Sequence, residues 1–196
     1  MTSIQNKGTG AGGANTNLNG KTFEEKTENE TRLIANGFIR KDIPGAKGKY
    51  DYFLEQVNPD DAKKSVVYVT QGGFKPYVAH FLSNNDMCRN PDEAYLFRDG
   101  SHCTLKILEK KNQNVAGSVD TKLLAGKGFI DEYEFLLGPN FKVLYAFCLS
   151  SYLKNDYLSD KPRSRALRHI TKKDEIAILF GDDADYYETL DAWLSL

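Results

Sequence analysis

Pro91-Asp92-Glu93-Ala94-Tyr95-Leu96-Phe97, then Arg98-Asp99-Gly100-Ser101, then His102-Cys103-Thr104-Leu105-Lys106-Ile107-Leu108-Glu109-Lys110-Lys111 is the stretch that decides the architecture. Two apolar runs of alternating character flank Asp99-Gly100, the strongest short-range signal for a two-residue hairpin turn. With Arg98 paired to Ser101, Leu96 faces Cys103, Ala94 faces Leu105, and Asp92 faces Ile107. Side chains alternate with period two, so Asp92, Ala94, Leu96, Cys103, Leu105, Ile107, Glu109 and Lys111 share one face. In that register Asp92 and Glu109 are diagonal neighbours, about 7–8 Å apart and within reach of one shared cation. Three ionisable groups thus extend a face that otherwise reads as core, which is costly for a fold and useful for chemistry.

Pro91-Asp92, sixteen intervening residues and then Glu109-x-Lys111 resemble the motif of the PD-(D/E)XK nuclease superfamily. The continuation Asn112-Gln113-Asn114-Val115-Ala116-Gly117-Ser118-Val119-Asp120-Thr121-Lys122 is similar to that of its type II restriction endonucleases. The Pro before Asp, the hairpin register, the Gln two residues after Lys and the Gly-Ser helix start carry the likeness beyond the bare motif. The resemblance spans residues 20–150 and implies an α/β protein of mixed sheet with the αβββαβ core of that superfamily. Residues 20–196 are expected to form one nuclease domain with peripheral additions around that core.

The chemistry so implied is Mg²⁺-dependent hydrolysis of DNA phosphodiesters to 5′-phosphate and 3′-hydroxyl ends. Asp92 and Glu109 would hold the ion, with the Lys110 backbone carbonyl a third ligand by resemblance. Few protein ligands completed by water and phosphate oxygens suit Mg²⁺, and Mn²⁺ is expected to substitute. Lys111 would hold the attacking water and offset charge on the scissile phosphate. Gln113 continues the face and would bond the water or DNA backbone, or stand as a solvated strand end. Many relatives add a Glu from the first helix; Phe23-Glu24-Glu25 offers two, of which Glu24 matches better, while helix-dipole partnership is the plainer role for both.

The chain has 196 residues, enough for one sizeable core, with 40% hydrophobic and 12% aromatic content arguing for a globular fold. No apolar run reaches the length of a membrane span, and Met1 to Gly20 lacks an apolar signal-peptide centre, so a cytoplasmic protein without a membrane partner is expected. Cys88, Cys103 and Cys148 are widely spaced, which favours neither a disulfide framework nor a zinc site. Net charge of −1 argues against a generic nucleic-acid glue, though not against a cleft enzyme with a local basic patch.

Such a patch runs from Lys161 to Lys173, and Arg165, Arg168 and Lys172 share a helical face there. It would face DNA phosphates or be a solvated basic helix, with the acidic segment after it on the far side. The Gly- and Asn-rich residues 1–19 read as a flexible arm or linker, in which Asn15 and Asn17 are candidate base readers and nearby Lys21 a candidate DNA contact. Gly20-Lys21-Thr22 lacks the earlier Gly and the strand that a phosphate-binding P-loop requires, so nucleotide hydrolysis is set aside. Asp182-Asp183-x-Asp185 reads as helix capping rather than as a second metal site.

Periodicity predicts a helix over 21–36, a turn-rich stretch from Phe38 to Asp61, a strand at 66–70 and a short helix at 77–82. After the hairpin come a helix over 117–137 interrupted near Gly126, a buried strand at 143–149, a basic helix at 163–170, a strand at 176–180 and a last helix at 184–196. The leading functional expectation is a type II restriction endonuclease acting on double-stranded DNA as a homodimer, paired with a cognate DNA methyltransferase. Tyr186, Tyr187 and Trp193 are candidate interface anchors, with core packing the alternative for Trp193. Rival expectations are a repair or junction-processing nuclease, or a non-catalytic DNA-binding module on a vestigial nuclease fold.

Overall fold

The computed structural model describes residues 23–61, 63–113 and 119–195, with the backbone alone at 119–120. Seven strands lie side by side in chain order: β1 (Ile39–Asp42), β2 (Tyr52–Val57), β3 (Lys64–Thr70), β4 (Glu93–Asp99), β5 (His102–Lys111), β6 (Phe141–Leu149) and β7 (Ala177–Phe180). The first five form an antiparallel meander, whereas β6 runs parallel to β5 and β7 parallel to β6. Parallel neighbours need crossovers, and helices supply them here. The described helices are α1 (Glu30–Ala35), α2 (Gln71–Phe81), α3 (Val119–Leu124), α4 (Gly126–Leu137), α5 (Ser151–Leu158), α6 (Pro162–Lys173) and α7 (Tyr186–Leu194). The expected α/β class with a mixed sheet is therefore present. Among the described residues no helix is long and apolar enough to cross a membrane.

Both faces of the sheet are covered. Val69, Ile107, Phe147 and Leu149 pack under helices α2 to α6, while Leu54, Tyr68, Leu108 and Cys148 pack under α1 and α7. Strand β6 is accordingly apolar throughout its second half, as a strand buried on both faces must be. Leu54, Ile107, Leu108, Leu149 and Leu190 are all fully buried, each contributing about 1.5–3 kcal/mol through area removed from water.

Three sequence expectations change. Residues 38–61 are not merely turn-rich: β1 and β2 pair there, Ile39 with Glu55 through Asp42 with Tyr52. All four β1 residues are exposed, so this edge strand shows no apolar alternation by which to find it. The expected helix over 21–36 breaks into a helical turn at 23–26 and α1. Thr27 ends that turn, its Oγ1 donating to Phe23 O at 2.8 Å, and Asn29 then turns into the protein. Finally, Gly72-Gly73 lies within a helix that begins at Gln71, six residues before the expected start. A Cβ on Gly73 would stand 2.5 Å from the Tyr52 carbonyl oxygen, so this glycine serves close helix–strand approach rather than a break. The polar helix α5, which buries only Leu153, had no sequence signal.

The last helix offers no exposed aromatic anchors. Tyr186 is buried, the Tyr187 hydroxyl donates to Lys26 O and Glu28 O at 3.1 Å each, and Trp193 packs against the second core layer. Lys106 holds the end of this helix, donating from Nζ to Trp193 O and Leu194 O at 2.9 Å each. A cation on the last carbonyls of a helix complements its dipole. All three cysteines are free; Cys148 is buried and Cys103 half-buried.

Candidate active site

The hairpin forms, but one residue further along than its turn signal suggests. Asp99 pairs with His102, so the loop is Gly100-Ser101, with Gly100 at φ +61° in the first loop position. Leu96 therefore faces Leu105 rather than Cys103. The shift is by two in register, which preserves parity and leaves every side chain on its expected face. Its consequence for the site is favourable: Glu93 pairs with Leu108, and continuing that register sets Asp92 directly opposite Glu109 rather than diagonal to it. Directly opposed residues bring their Cβ atoms to about 4.5–5.5 Å.

Asp92, Glu109 and Lys111 come together on the face shared with Ile107 and Leu149. Lys111 Nζ lies 2.6 Å from Glu109 Oε2 and 3.8 Å from Asp92 Oδ2. All three side chains are only partly exposed, at 25% for Asp92, 17% for Glu109 and 16% for Lys111, so the charges interact in a poorly solvated corner. Burial first, and the Asp92 charge second, push the Glu109 carboxyl above its usual range against the opposing pull of Lys111. Tyr133 of α4 and Tyr145 of β6 stand by: their hydroxyls are pushed up chiefly by burial and next by Glu109.

Pro91 explains part of the local geometry. In an antiparallel ladder, opposed residues of a bonded pair exchange N–H and C=O, and Lys110 falls opposite Pro91. Proline has no N–H, so the ladder supplies no donor for the Lys110 carbonyl. The Lys110 N–H turns instead to Asp92 Oδ2, at 2.7 Å. Since N–H and C=O of one strand residue project to the same side, the Lys110 carbonyl points toward the Asp92 edge, while Lys111 O is held by Ser150 N–H at 3.1 Å on the other. Two carboxylates and a carbonyl on that edge are hard oxygen donors, a set that fits a small divalent ion retaining much of its water. Among the described residues no three His, Cys, Asp or Glu side chains converge as a metal-holding group.

The remaining expected site residues are distributed more widely. Glu24 and Glu25 line a cleft of about 460 Å³ that Asp92, Glu93 and Lys110 also line, but Glu109 and Lys111 do not. Either glutamate thus shares a wall with Asp92 without joining the trio. Strand β5 ends at Lys111, so alternation does not carry to Gln113, whose backbone N–H meets Ser150 Oγ at 3.5 Å. Asn15, Asn17 and Lys21 lie outside the described residues. Asp182 does cap a helix, though not the following one: its Oδ2 accepts the Ser151 N–H of α5 at 2.7 Å and its Oδ1 takes Lys26 at 2.7 Å.

Arg165 and Lys172 are exposed on α6, whose Leu167 packs in the same core layer as Ile107, on the site's side of the sheet. Arg168 differs from them. Its guanidinium is half-buried and donates to Tyr157 O and, at 2.8 Å, to Ser159 O, closing the end of α5. Its part is structural within this chain. On the sequence expectation that this face meets DNA phosphates, replacing Arg165 and Lys172 together, with Arg168 intact, would weaken binding to all DNA sequences and flatten the slope of log affinity against log salt by about 2. Binding titrations over a salt series check this; an unchanged slope would place α6 away from DNA.

Sequence reasoning missed Glu93 and Lys110 as a buried pair, 2.6 Å apart on the opposite side of the sheet, and their partner Asn29. Alternation already turned both away from Asp92, and two adjacent charges on an apolar strand face were the available signal.

The raised Glu109 carboxyl sets the sign of a stability effect. Its folded form keeps a proton to higher pH than its unfolded form, so ionising it in the fold costs stability. That cost is full above the folded pKa and vanishes as pH falls below the unfolded one. Glu109→Gln is therefore expected to raise the metal-free thermal midpoint near neutral pH, with the difference shrinking in acid, as calorimetry over a pH series can measure.

No family model matches the chain, and no curated protein or solved structure matches it either.

Proposed function

We propose that this protein is a Mg²⁺-dependent, site-specific double-strand DNA endonuclease of the type II restriction kind, built on the PD-(D/E)XK core. The observation that carries the reading is the convergence of Asp92, Glu109 and Lys111 at the joined ends of β4 and β5, with Lys111 2.6 Å from Glu109 and 3.8 Å from Asp92. Their order along the chain, with Pro91 before and Lys110 between, matches the motif that the sequence resembles.

Asp92, Glu109 and the Lys110 carbonyl would hold the ion. When bound, Mg²⁺ supplies charge stabilisation at the phosphate and a more acidic water. Asp92 and Glu109 would orient that centre; burial first and the Asp92 charge second raise the Glu109 carboxyl, and a cation between the two would offset both. Lys111 carries its ammonium on the same face, where it neutralises charge building on the phosphate and aligns the nucleophile by hydrogen bonding. The neutral Tyr133 and Tyr145 and the apolar layer behind them keep the corner poorly solvated, which strengthens each of these interactions.

The described residues of one chain carry one such trio, and a duplex has two antiparallel strands. Cutting both in one binding event calls for a homodimer with its two-fold axis on that of the DNA site. A restriction role further implies a cognate DNA methyltransferase and a cytoplasmic location.

The test is digestion of a long DNA of known sequence with Mg²⁺ or Mn²⁺, with the ends mapped. Discrete fragments bearing 5′-phosphates are expected, absent with chelator, and supercoiled plasmid should pass to linear form. Lys111→Ala should lower the single-turnover rate by about 10²–10³-fold, the effect of removing one preorganised donor at a transition state. Nicking alone would favour a repair or junction-processing nuclease, and DNA binding without any cleavage would favour a non-catalytic module.

A further inference from the structure

Asp92 lies just past the last β4–β5 ladder pair, Glu93 with Leu108, and Pro91 cannot extend the ladder. Gln71 N–H, donating to Asp92 O at 3.1 Å, holds the Asp92 backbone on the β3 side, so on the β5 side bonds outside the ladder must set its carboxylate against Glu109. The bonds that do so run through the sheet. Lys110 donates its backbone N–H to Asp92 Oδ2 at 2.7 Å on one side, and its Nζ meets Glu93 Oε1 at 2.6 Å on the other. The Lys110 and Glu93 side chains are 6% and 3% exposed. Glu93 Oε2 further accepts Asn29 Nδ2 at 2.7 Å and the Tyr95 hydroxyl at 2.9 Å, so this carboxylate is fully engaged. Asn29, itself buried, accepts from Arg32 Nη2 at 3.2 Å, and Arg32 Nη1 grips Asp191 of α7 at 2.6 Å.

A buried ion pair is a poor way to gain stability, since apolar side chains of similar volume hold a core at least as well. What it gives here is direction. Glu93 is covalently next to Asp92, and Lys110 stands between Glu109 and Lys111, so fixing one pair fixes the other across the sheet. We propose that Glu93, Lys110 and Asn29 are positioning residues that set Asp92 against Glu109 so that both carboxylates address one divalent cation. The proposal rests on the metal-site reading above and adds the residues that act through it.

Mn²⁺ binding to the whole protein, followed by electron paramagnetic resonance or calorimetry, tests it without reference to cleavage. Asp92→Ala should abolish binding at the site. Glu93→Gln, which keeps the shape and removes the charge, should weaken Mn²⁺ affinity about 10–100-fold while metal-free DNA affinity stays at the wild-type value. A merely structural role would lower folded fraction and DNA affinity together and leave the Mn²⁺ affinity of the folded fraction alone. A folded Glu93→Gln with wild-type Mn²⁺ affinity overturns the proposal. Should that variant fail to fold, Tyr95→Phe decides, because it removes one donor to the same carboxylate: weakened Mn²⁺ binding supports positioning and unchanged binding overturns it. Wild-type affinity in Asp92→Ala would instead remove the metal-site reading, and the proposal with it.

Discussion

Asp92→Ala and Glu109→Ala are each expected to abolish Mg²⁺-dependent cleavage while leaving a folded protein. The two carboxylates are the only side-chain oxygens that the reading assigns to the ion, and a bound metal contributes several kcal/mol of transition-state stabilisation. At about 1.4 kcal/mol per factor of ten, losing it lowers the rate by about 10³-fold or more. Folding should survive for a local reason. The Asp92 side chain is 25% exposed, and its loss leaves one backbone N–H, that of Lys110, close to water. Glu109 sits in a corner whose burial and neighbouring charge already work against its ionised form, so truncating it relieves a cost. Single-turnover plasmid cleavage at saturating Mg²⁺, beside thermal unfolding, makes the comparison. Near-wild-type cutting by either variant would sink the assignment.

Lys110→Ala is expected to be damaging for a different reason. Alternation alone casts Lys110 as the inert neighbour of Lys111, whose removal should matter far less to the rate. Burial changes that expectation for the protein as a whole. Removing one partner of a buried ion pair leaves the other charged and unpaired, at a cost of about 3–5 kcal/mol, which is a large part of a domain's usual 5–15 kcal/mol. Glu93, 3% exposed, would be the stranded charge. Urea unfolding should show the loss as a lower midpoint, and the remaining folded fraction of Lys110→Ala should keep more activity than Lys111→Ala. A midpoint equal to wild type would mean that Glu93 finds another partner or that water enters.

The parts of this architecture legible in the sequence are those with short-range causes. The β-branched run at 66–70, the hairpin, the apolar strand at 143–149 and the basic helix all stand close to their expected places. Missed elements lack such causes. Strand β1 is exposed at every residue, Ile39 included, and α5 buries one residue, so neither writes a period into the chain. The break after residue 26 and the early start of α2 depend on contacts with distant segments, seen at Asn29 against Glu93 and at Gly73 against Tyr52.

By itself the sequence determined which face of the sheet the strand residues of 92–98 and 102–111 occupy, because alternation follows from the covalent geometry of an extended chain. It thereby placed Asp92, Glu109 and Lys111 together, and a two-residue error in register left that grouping intact. Only the tertiary structure decided the register itself. Strand β4 runs on to Asp99, which pairs with Lys64 of β3 as well as with His102, and the Lys64 pairing comes from outside the hairpin. Tertiary structure alone also decided that Arg168 closes α5 and that Glu93 and Lys110 are buried together. A charge's partner is set by which segments the fold brings within a few ångströms, and for Glu93 one of them is Asn29, 64 residues away along the chain.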